Sequence, residues 1–419
     1  MCEQPKKPSI HLSKSPLILT ALTCALMHAG YVNAQATMTD LGVLPRGDWS
    51  TATAVAANGS VIVGYSYDGP YLSYGQMRAF KYTVGGMVSL GTPTGGLFSS
   101  AMAVSADGSV IVGTAAPNAT DNFTDWAHKY TSGGGWVLLT PPSGVPVNYS
   151  RGLGVSADGL VAVGFININD GTGRRAFKHN DSGGMVLLGT LPGGTSSYAS
   201  AASSDGSVIV GASGIGTAGE DFAPGSGRAF KYTTSGGMVS LGVLSGPFAS
   251  SAATAVSADG SVIVGASTST NIISGAVIAT AFKYTTSGGM VSLGAPLPGF
   301  TSSVANGVSA DGSVIVGSSF NIPWYEPGSA RAFIYTATGG MVSLGTLAGG
   351  TYSYANAVSA DGSVIVGQAD NASGGLRAFM YRNITSTPSS PGTTPPPLVD
   401  ILNTYSAVAK QGYQLNSVL

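Results

Sequence analysis

The sequence predicts an all-β fold: a seven-bladed β-propeller of four-stranded antiparallel blades, closed by an N-terminal strand. Three observations carry that prediction. A block of the form Met-Val-Ser-Leu-Gly, exact or degenerate, starts at residues 38, 87, 136, 185, 238, 290 and 341, so the interval is 49 to 53 residues. Two tight-turn signals, Asp-Gly and Gly-Gly, recur in phase with it. The runs between the turns are short and rich in Val, Ile, Phe and Tyr. Composition agrees. With 62 Gly in 419 residues the chain is too Gly-rich for a helical protein, and at 43 % hydrophobic it is too apolar for wholesale disorder.

The first segment, residues 1–36, reads as an export signal. Lys6, Lys7 and Lys14 make a basic start, and Pro16 to Met27 is an apolar stretch too short to span a bilayer. Val32-Asn33-Ala34 and Ala34-Gln35-Ala36 both fit an A-x-A-like cleavage site. The competing readings are a buried N-terminal helix and, from Cys24, a lipoprotein, although Ala21-Leu22-Thr23 lacks the pattern the latter needs. Cys2 and Cys24 are the two cysteines, and both fall in the removable segment. The mature chain is therefore expected to hold no disulfide, thiol nucleophile or Cys-based metal site.

Residues 37–383 make the propeller. Within a copy the strands run in the order A-V-S, S-V-I-V-G, A-F-K-Y and M-V-S-L-G. Asp-Gly separates the first two at 107–108, 158–159, 205–206, 259–260, 311–312 and 361–362, with Asn58-Gly59 in the first copy. Such dipeptides accept positive φ at both central positions, so a type I′ hairpin is expected. Gly-Gly, as at 236–237 and 339–340, marks the second hairpin. A β-solenoid is the rival, but its parallel strands do not need two tight hairpins per repeat. The repeat starts with an M-V-S-L-G type strand at Thr39 to Leu44 and ends on an A-F-K-Y type strand at Arg377 to Arg382. Pairing Asp40 to Val43 with Ala378 to Tyr381 should complete the last blade. The tight turns are the first and third connections, so the longer second and fourth connections must emerge together at the other end.

The chain then changes character. Residues 384–398 are a Pro/Ser/Thr-rich linker. In 399–419 and just before, Leu398, Ile401, Leu402, Tyr405, Val408 and Leu415 follow helical spacing, which predicts a short amphipathic helix.

Chemistry is sparsely signposted. Net charge is −1, from 18 Lys plus Arg and 19 Asp plus Glu, so a nucleic-acid partner is not expected. His128 and His179 replace aromatic residues of the A-F-K-Y block and read as substituted strand positions. The repeated Asp107, Asp158, Asp205, Asp259, Asp311 and Asp361 read as turn chemistry. Arg78, Arg175, Arg228, Arg331 and Arg377 form either an inter-blade ion-pair ring or solvated strand starts. Asn167-Ile-Asn-Asp170-Gly171 lacks the carboxylates and distal Glu of a calcium loop. No G-x-S-x-G, H-E-x-x-H or P-loop occurs, so no catalytic residue, metal or cofactor is assigned. The long loops do carry aromatic residues beside Asn, Ser and Gly. Tyr67, Tyr71, Trp324, Tyr325 and Tyr352 are the candidate binding residues, and exposed rings there suit a neutral glycan or peptide. The function expected is a non-enzymatic binding or adhesion module. The alternatives are a propeller enzyme acting on glycans through loop carboxylates and a passive surface repeat.

The blocks Arg78-Ala79-Phe80, Arg175-Ala176-Phe177, Arg228-Ala229-Phe230, Arg331-Ala332-Phe333 and Arg377-Ala378-Phe379 resemble those of the HAF family of probable extracellular repeats, with Arg in place of the family His. The resemblance covers about Met38 to Arg382 and includes the Gly-Gly turn, the Met-x-x-Leu-Gly strand and the G-x-V-V-G-like hairpin. It implies an exported protein and brings no catalytic residues. After Arg382 the chain is similar to an autotransporter junction, which implies an outer-membrane translocator as partner and a location at the cell surface, outer membrane or outside the cell.

Overall fold

The computed structural model describes residues 37–69, 77–116, 125–169, 173–216, 222–223, 225–270, 275–321 and 328–382. The expected export signal, linker and C-terminal helix lie outside them. The described residues form seven four-stranded antiparallel sheets arranged as a propeller, with no helix among them. The first blade runs Ser50–Val55, Ile62–Tyr67, Met77–Thr83 and Gly86–Ser89, from the channel outward. Five more repeat that order. The seventh consists of Ser353–Val358, Val364–Asp370 and Leu376–Arg382, and its outermost strand is Met38–Asp40 from the opposite end of the propeller. Closure by the N-terminal strand is thus as the repeat phase predicts. The register differs by two residues: Met38 lies opposite Tyr381 and Asp40 opposite Phe379. This is the register of the other outer strands, where Phe80 opposes Ser89 and Phe230 opposes Ser240; Leu41 N–H then donates to Ala378 C=O at 2.9 Å, and Leu41 and Leu44 enter the core, 6 % and 2 % exposed.

The core is a set of wedges between blades. The cluster at the seam joins Ala52, Ile62 and Phe80 of the first blade to Val364, Val366 and Ala378 of the seventh. The Phe of each A-F-K-Y block is fully buried: Phe80, Phe177, Phe230, Phe282, Phe333 and Phe379. His128 takes that place in the second blade and is 2 % exposed. Such a side chain removed from water stabilises the fold by about 1.5–3 kcal/mol.

Polar groups join the wedges. In every blade a Ser near the start of the inner strand accepts the backbone N–H of the Ala in the preceding blade's A-F-K-Y strand, from Ala378 to Ser50 Oγ across the seam to Ala332 to Ser353 Oγ. That N–H faces the outer strand where its ladder breaks at a Gly, and the hydroxyl bridges the gap, as where Ser50 Oγ donates on to Gly42 C=O and Ser353 Oγ to Gly345 C=O, each at 2.6 Å. The repeated arginines, expected to form either an ion-pair ring or solvated strand starts, tie neighbouring blades through backbone. Their guanidinium groups bond carbonyl oxygens of the next blade's entry loop: Arg78 to Leu97 at 2.8 Å, Arg228 to Ala249 at 3.1 Å, Arg331 to Thr351 at 3.3 Å, Arg175 to Thr195 and Arg377 to Asp48. A main-chain carbonyl suits the fork of guanidinium donors, since it accepts and never donates.

The Asp-Gly hairpins also differ from the expected type. Positive φ belongs to the glycine alone, for example Gly108 at 75°. Gly108 N–H donates to Ser105 C=O at 3.0 Å, and Ser105 N–H to Val110 C=O at 2.8 Å, so the loop holds four residues, Ala106 to Ser109. The aspartate shapes it from outside: Asp107 Oδ1 accepts from Ser105 Oγ at 2.6 Å, Ser109 N at 3.0 Å and Ser109 Oγ at 2.8 Å. The glycine is also fixed by the neighbour. A Cβ on Gly108 would lie 2.7 Å from Val61 Cγ2 of the preceding blade.

Candidate functional site

The inner strands surround the channel, and their side chains alternate. In each, the Ser at the first place and the small residue at the third are directed at the preceding blade, so the second and fourth places face away from it. The second places are Thr51, Ser100, Arg151, Tyr198, Ala252, Val304 and Tyr354, at one register level: Thr51 opposes Tyr65 and Tyr354 opposes Gln368 on their neighbouring strands. The fourth places are Thr53, Met102, Leu153, Ser200, Thr254, Asn306 and Asn356. Each is a β-bulge, the extra residue that the next strand does not match. A glycine opposite makes the bulge fit. A Cβ on Gly64 would meet Thr51 C=O at 1.9 Å.

At the loop end of the channel the first, second, sixth and seventh blades enclose a cavity of about 560 Å³. Tyr65, Met102, Phe320, Tyr352 and Tyr354 supply its apolar surface, and Thr51, Thr53, Asn306, Asn356 and Gln368 its polar groups. None of these described lining side chains is charged. Thr51 Oγ1 donates to Gln368 Oε1 at 2.5 Å, and Gln368 Nε2 to Tyr352 Oη at 3.3 Å. The bulge residues reach across to the next blade: Thr53 Oγ1 donates to Ala101 C=O at 2.9 Å, Asn306 Nδ2 to Ala355 C=O at 2.7 Å and Asn356 Nδ2 to Ala52 C=O at 2.8 Å. Burial in the crowded mouth pushes the Tyr354 phenol up to about 12, against the bond from Asn306 and with help from Tyr352. Burial raises Tyr352 as well, and Asp370 adds to it. Both rings therefore keep their O–H near neutral pH.

Of the residues singled out from sequence, the structure places Tyr352 in this cavity. It is 6 % exposed, so its hydroxyl reaches the site while its ring is core, in contrast to the exposed ring expected. Tyr67 stands on the rim, packed edge-on against Trp49 at 5.4 Å, and Trp49 also contacts Tyr65 at 5.4 Å. These rings pack their own loops. Tyr71, Trp324 and Tyr325 lie outside the described residues. Sequence reasoning missed Thr51, Asn306, Asn356 and Gln368. The signal for the first three was variation at two places of an inner strand whose other places stay Ser, Ala and Val.

The third and fourth blades bring different groups to the same end. Arg151 Nε donates to Asp125 Oδ2 at 2.6 Å, with its guanidinium 5.8 Å from the Tyr149 ring. Arg174 lies over both Phe165 (5.1 Å) and Tyr198 (5.5 Å). The two histidines sit elsewhere. His128 bonds Trp126 C=O through Nδ1 at 2.8 Å, and burial holds it below the usual imidazole range. Burial also lowers His179, with Lys129 adding to the effect and Asp181 opposing it. Asn167 accepts from Asn148 Nδ2 at 3.1 Å, whereas Asp170 and Gly171 are outside the described residues. Among the described residues no group of three or more His, Cys, Asp or Glu is placed to hold a metal ion.

No family model and no curated protein sequence matches the chain. Solved propellers do. An oligogalacturonate lyase in complex with manganese superposes with a TM-score of 0.54 at 12 % identity, covering 84 % of this chain and 94 % of that one. A prolyl endopeptidase gives 0.51 at 13 %, covering 90 % of this chain and 56 % of that one. TolB from Acinetobacter baumannii gives 0.43 at 15 %, covering 68 % and 63 %. The chain thus spans less than two thirds of the last two. The lyase and the peptidase differ in what they do, and at these identities what this chain shares with them is the fold.

Proposed function

We propose that the protein is an exported propeller that acts as a non-enzymatic recognition module, holding a neutral ligand, a glycan or a peptide segment, at the loop-end mouth of its channel. One observation supports the reading above the others: a cavity of about 560 Å³ whose described lining is aromatic, amide and hydroxyl. Ligand sites are concave, largely apolar and furnished with a few oriented polar groups, and this mouth has that make-up. The basic, apolar and small-residue sequence of 1–36 supports export, as does the resemblance to extracellular repeats. The resemblance of the C-terminal segment to an autotransporter junction supports attachment to an outer-membrane translocator.

The test is a glycan and peptide array probed with secreted protein, after N-terminal sequencing has placed its start near Gln35 or Thr37. Bound ligands should be lost in Tyr352→Ala and Thr51→Val and kept in the turn-end variant Asp205→Asn. Loss in the turn-end variant alone, or turnover of the bound ligand by purified protein, overturns the reading. An intact Met1 on the secreted material overturns the export signal.

A further inference from the structure

Resting on the reading just given, we infer that the channel mouth is built for a neutral, hydroxyl-rich carbohydrate chain, in preference to an acidic sugar or a peptide. Donors and acceptors decide this. Asn306, Asn356 and Thr53 each direct a hydrogen at a main-chain carbonyl of the next blade. A carbonyl accepts only from a donor, so both amides are fixed with nitrogen toward the backbone and Oδ1 on the other side. Thr51 likewise donates to Gln368, whose own amide hydrogen goes to Tyr352 Oη. What these groups have left over is of both kinds: acceptor oxygen on Asn306, Asn356, Thr51 and Thr53, and donors in the second amide N–H of Asn356 and Gln368 and in the Tyr352 hydroxyl hydrogen, freed by accepting from Gln368.

A sugar hydroxyl rotates, so it can donate to Asn Oδ1 and accept from a tyrosine in the same site. A carboxylate cannot donate. It would leave the acceptor oxygens unpaired and lose hydration with no described lining cation to replace it. At the equivalent level of the third blade, Arg151 is bonded to Asp125 at 2.6 Å and adds no net charge. A peptide backbone's donors and acceptors are fixed in direction and cannot rotate to suit a lining that mixes both. The apolar C–H faces of a sugar ring find apolar walls in Tyr65, Phe320 and Tyr354.

Isothermal titration of the full chain tests this with cellohexaose, maltohexaose and N-acetylchitohexaose as neutral probes, hexagalacturonate as the acidic one and a Gly-Ser hexapeptide. At least one neutral sugar should bind, about tenfold or more tighter than hexagalacturonate at both low and high salt. Tyr354→Ala and Thr51→Val should each weaken it by about tenfold. Thr51→Val keeps shape, so it serves if the tyrosine variant fails to fold. Hexagalacturonate binding as tightly as the sugars overturns the inference, as does sugar binding unchanged in Thr51→Val. Peptide binding lost in Thr51→Val overturns the ligand class and leaves the site standing. No binding by any neutral sugar, with array ligands still held by the mouth, does the same.

Discussion

Asp107, Asp205 and Asp259 show how one residue type is tied to one local task. Hydrogen bonds hold each carboxyl at about 2: the Ser105 hydroxyl first for Asp107, the Ser207 N–H first for Asp205, and the Ser257 hydroxyl first for Asp259. The folded value lies below the ordinary aspartate value of about 3.9, so folding favours the charged form. The stability these groups contribute is complete above about pH 4 and disappears as pH falls toward about 2. Melting temperature should therefore drop through that window. The triple variant Asp107→Asn, Asp205→Asn, Asp259→Asn should flatten the drop without losing the fold, because Asn58 already receives Ser60 N–H at 3.0 Å and Ser60 O–H at 2.7 Å in the same way. An equally steep acid limb in the variant would separate these carboxylates from acid unfolding. That aspartate serves the turn is legible in its sixfold recurrence in phase, with Asn58 in the seventh place. The Arg-to-carbonyl bonds and the Ser-to-Ala N–H bonds were not, because their partners are backbone atoms about twenty residues away and backbone atoms leave no mark in the sequence.

Strands and hairpins were the most legible level, since Val-Ile-Val-Gly and Ala-Phe-Lys-Tyr carry strand propensity and the glycines carry the turns. What the repeat could not show is where a strand stops. Met38–Asp40 ends after three residues because Leu41 and Leu44 are needed in the wedge with Ile62 and Val364. The channel lining was hidden for a related reason: Asn306 and Asn356 stand in blocks read only as strand former, and the bulge that sets them apart depends on how the inner strand pairs with its neighbour in the sheet. The closing strand makes a sharp prediction. Deleting 37–44 removes two buried leucines, each of which costs about 2–5 kcal/mol when truncated to alanine, and leaves Leu376–Arg382 as an open edge. The deletion variant should lose about 4 kcal/mol or more in denaturant titration. Unchanged stability would show that Met38–Asp40 is an ornament on a ring that closes without it.

At the scale of the whole molecule the ring has no end. Around the turn face the inner hairpins are linked by backbone hydrogen bonds from blade to blade: Ala57 N–H to Ala106 C=O, Ala106 to Ala157, Asp158 to Ser204, Ser204 to Ala258, Ala258 to Ala310, Ala310 to Ala360, and Ala360 back to Ala57. Their lengths run from 2.9 to 3.4 Å, and the bond from Ala360 to Ala57 at 3.0 Å crosses the seam. In an open stack of repeats the terminal units have one neighbour and fray first. Here every blade has two, and opening any link exposes a wedge of core on both sides. Hydrogen exchange measures the consequence. The amides of Ala57, Ala106, Asp158, Ser204, Ala258, Ala310 and Ala360 should exchange at closely similar rates, set by global unfolding. A seam amide that exchanges more than about tenfold faster than the others in the intact chain would show that the ring opens there, and that its seven blades are not one cooperative unit. The variant lacking 37–44 supplies the contrast. Its seventh blade has lost its outer strand, so protection should fall first at Ala360 and Ala57 and persist longest at Ser204, on the far side of the ring.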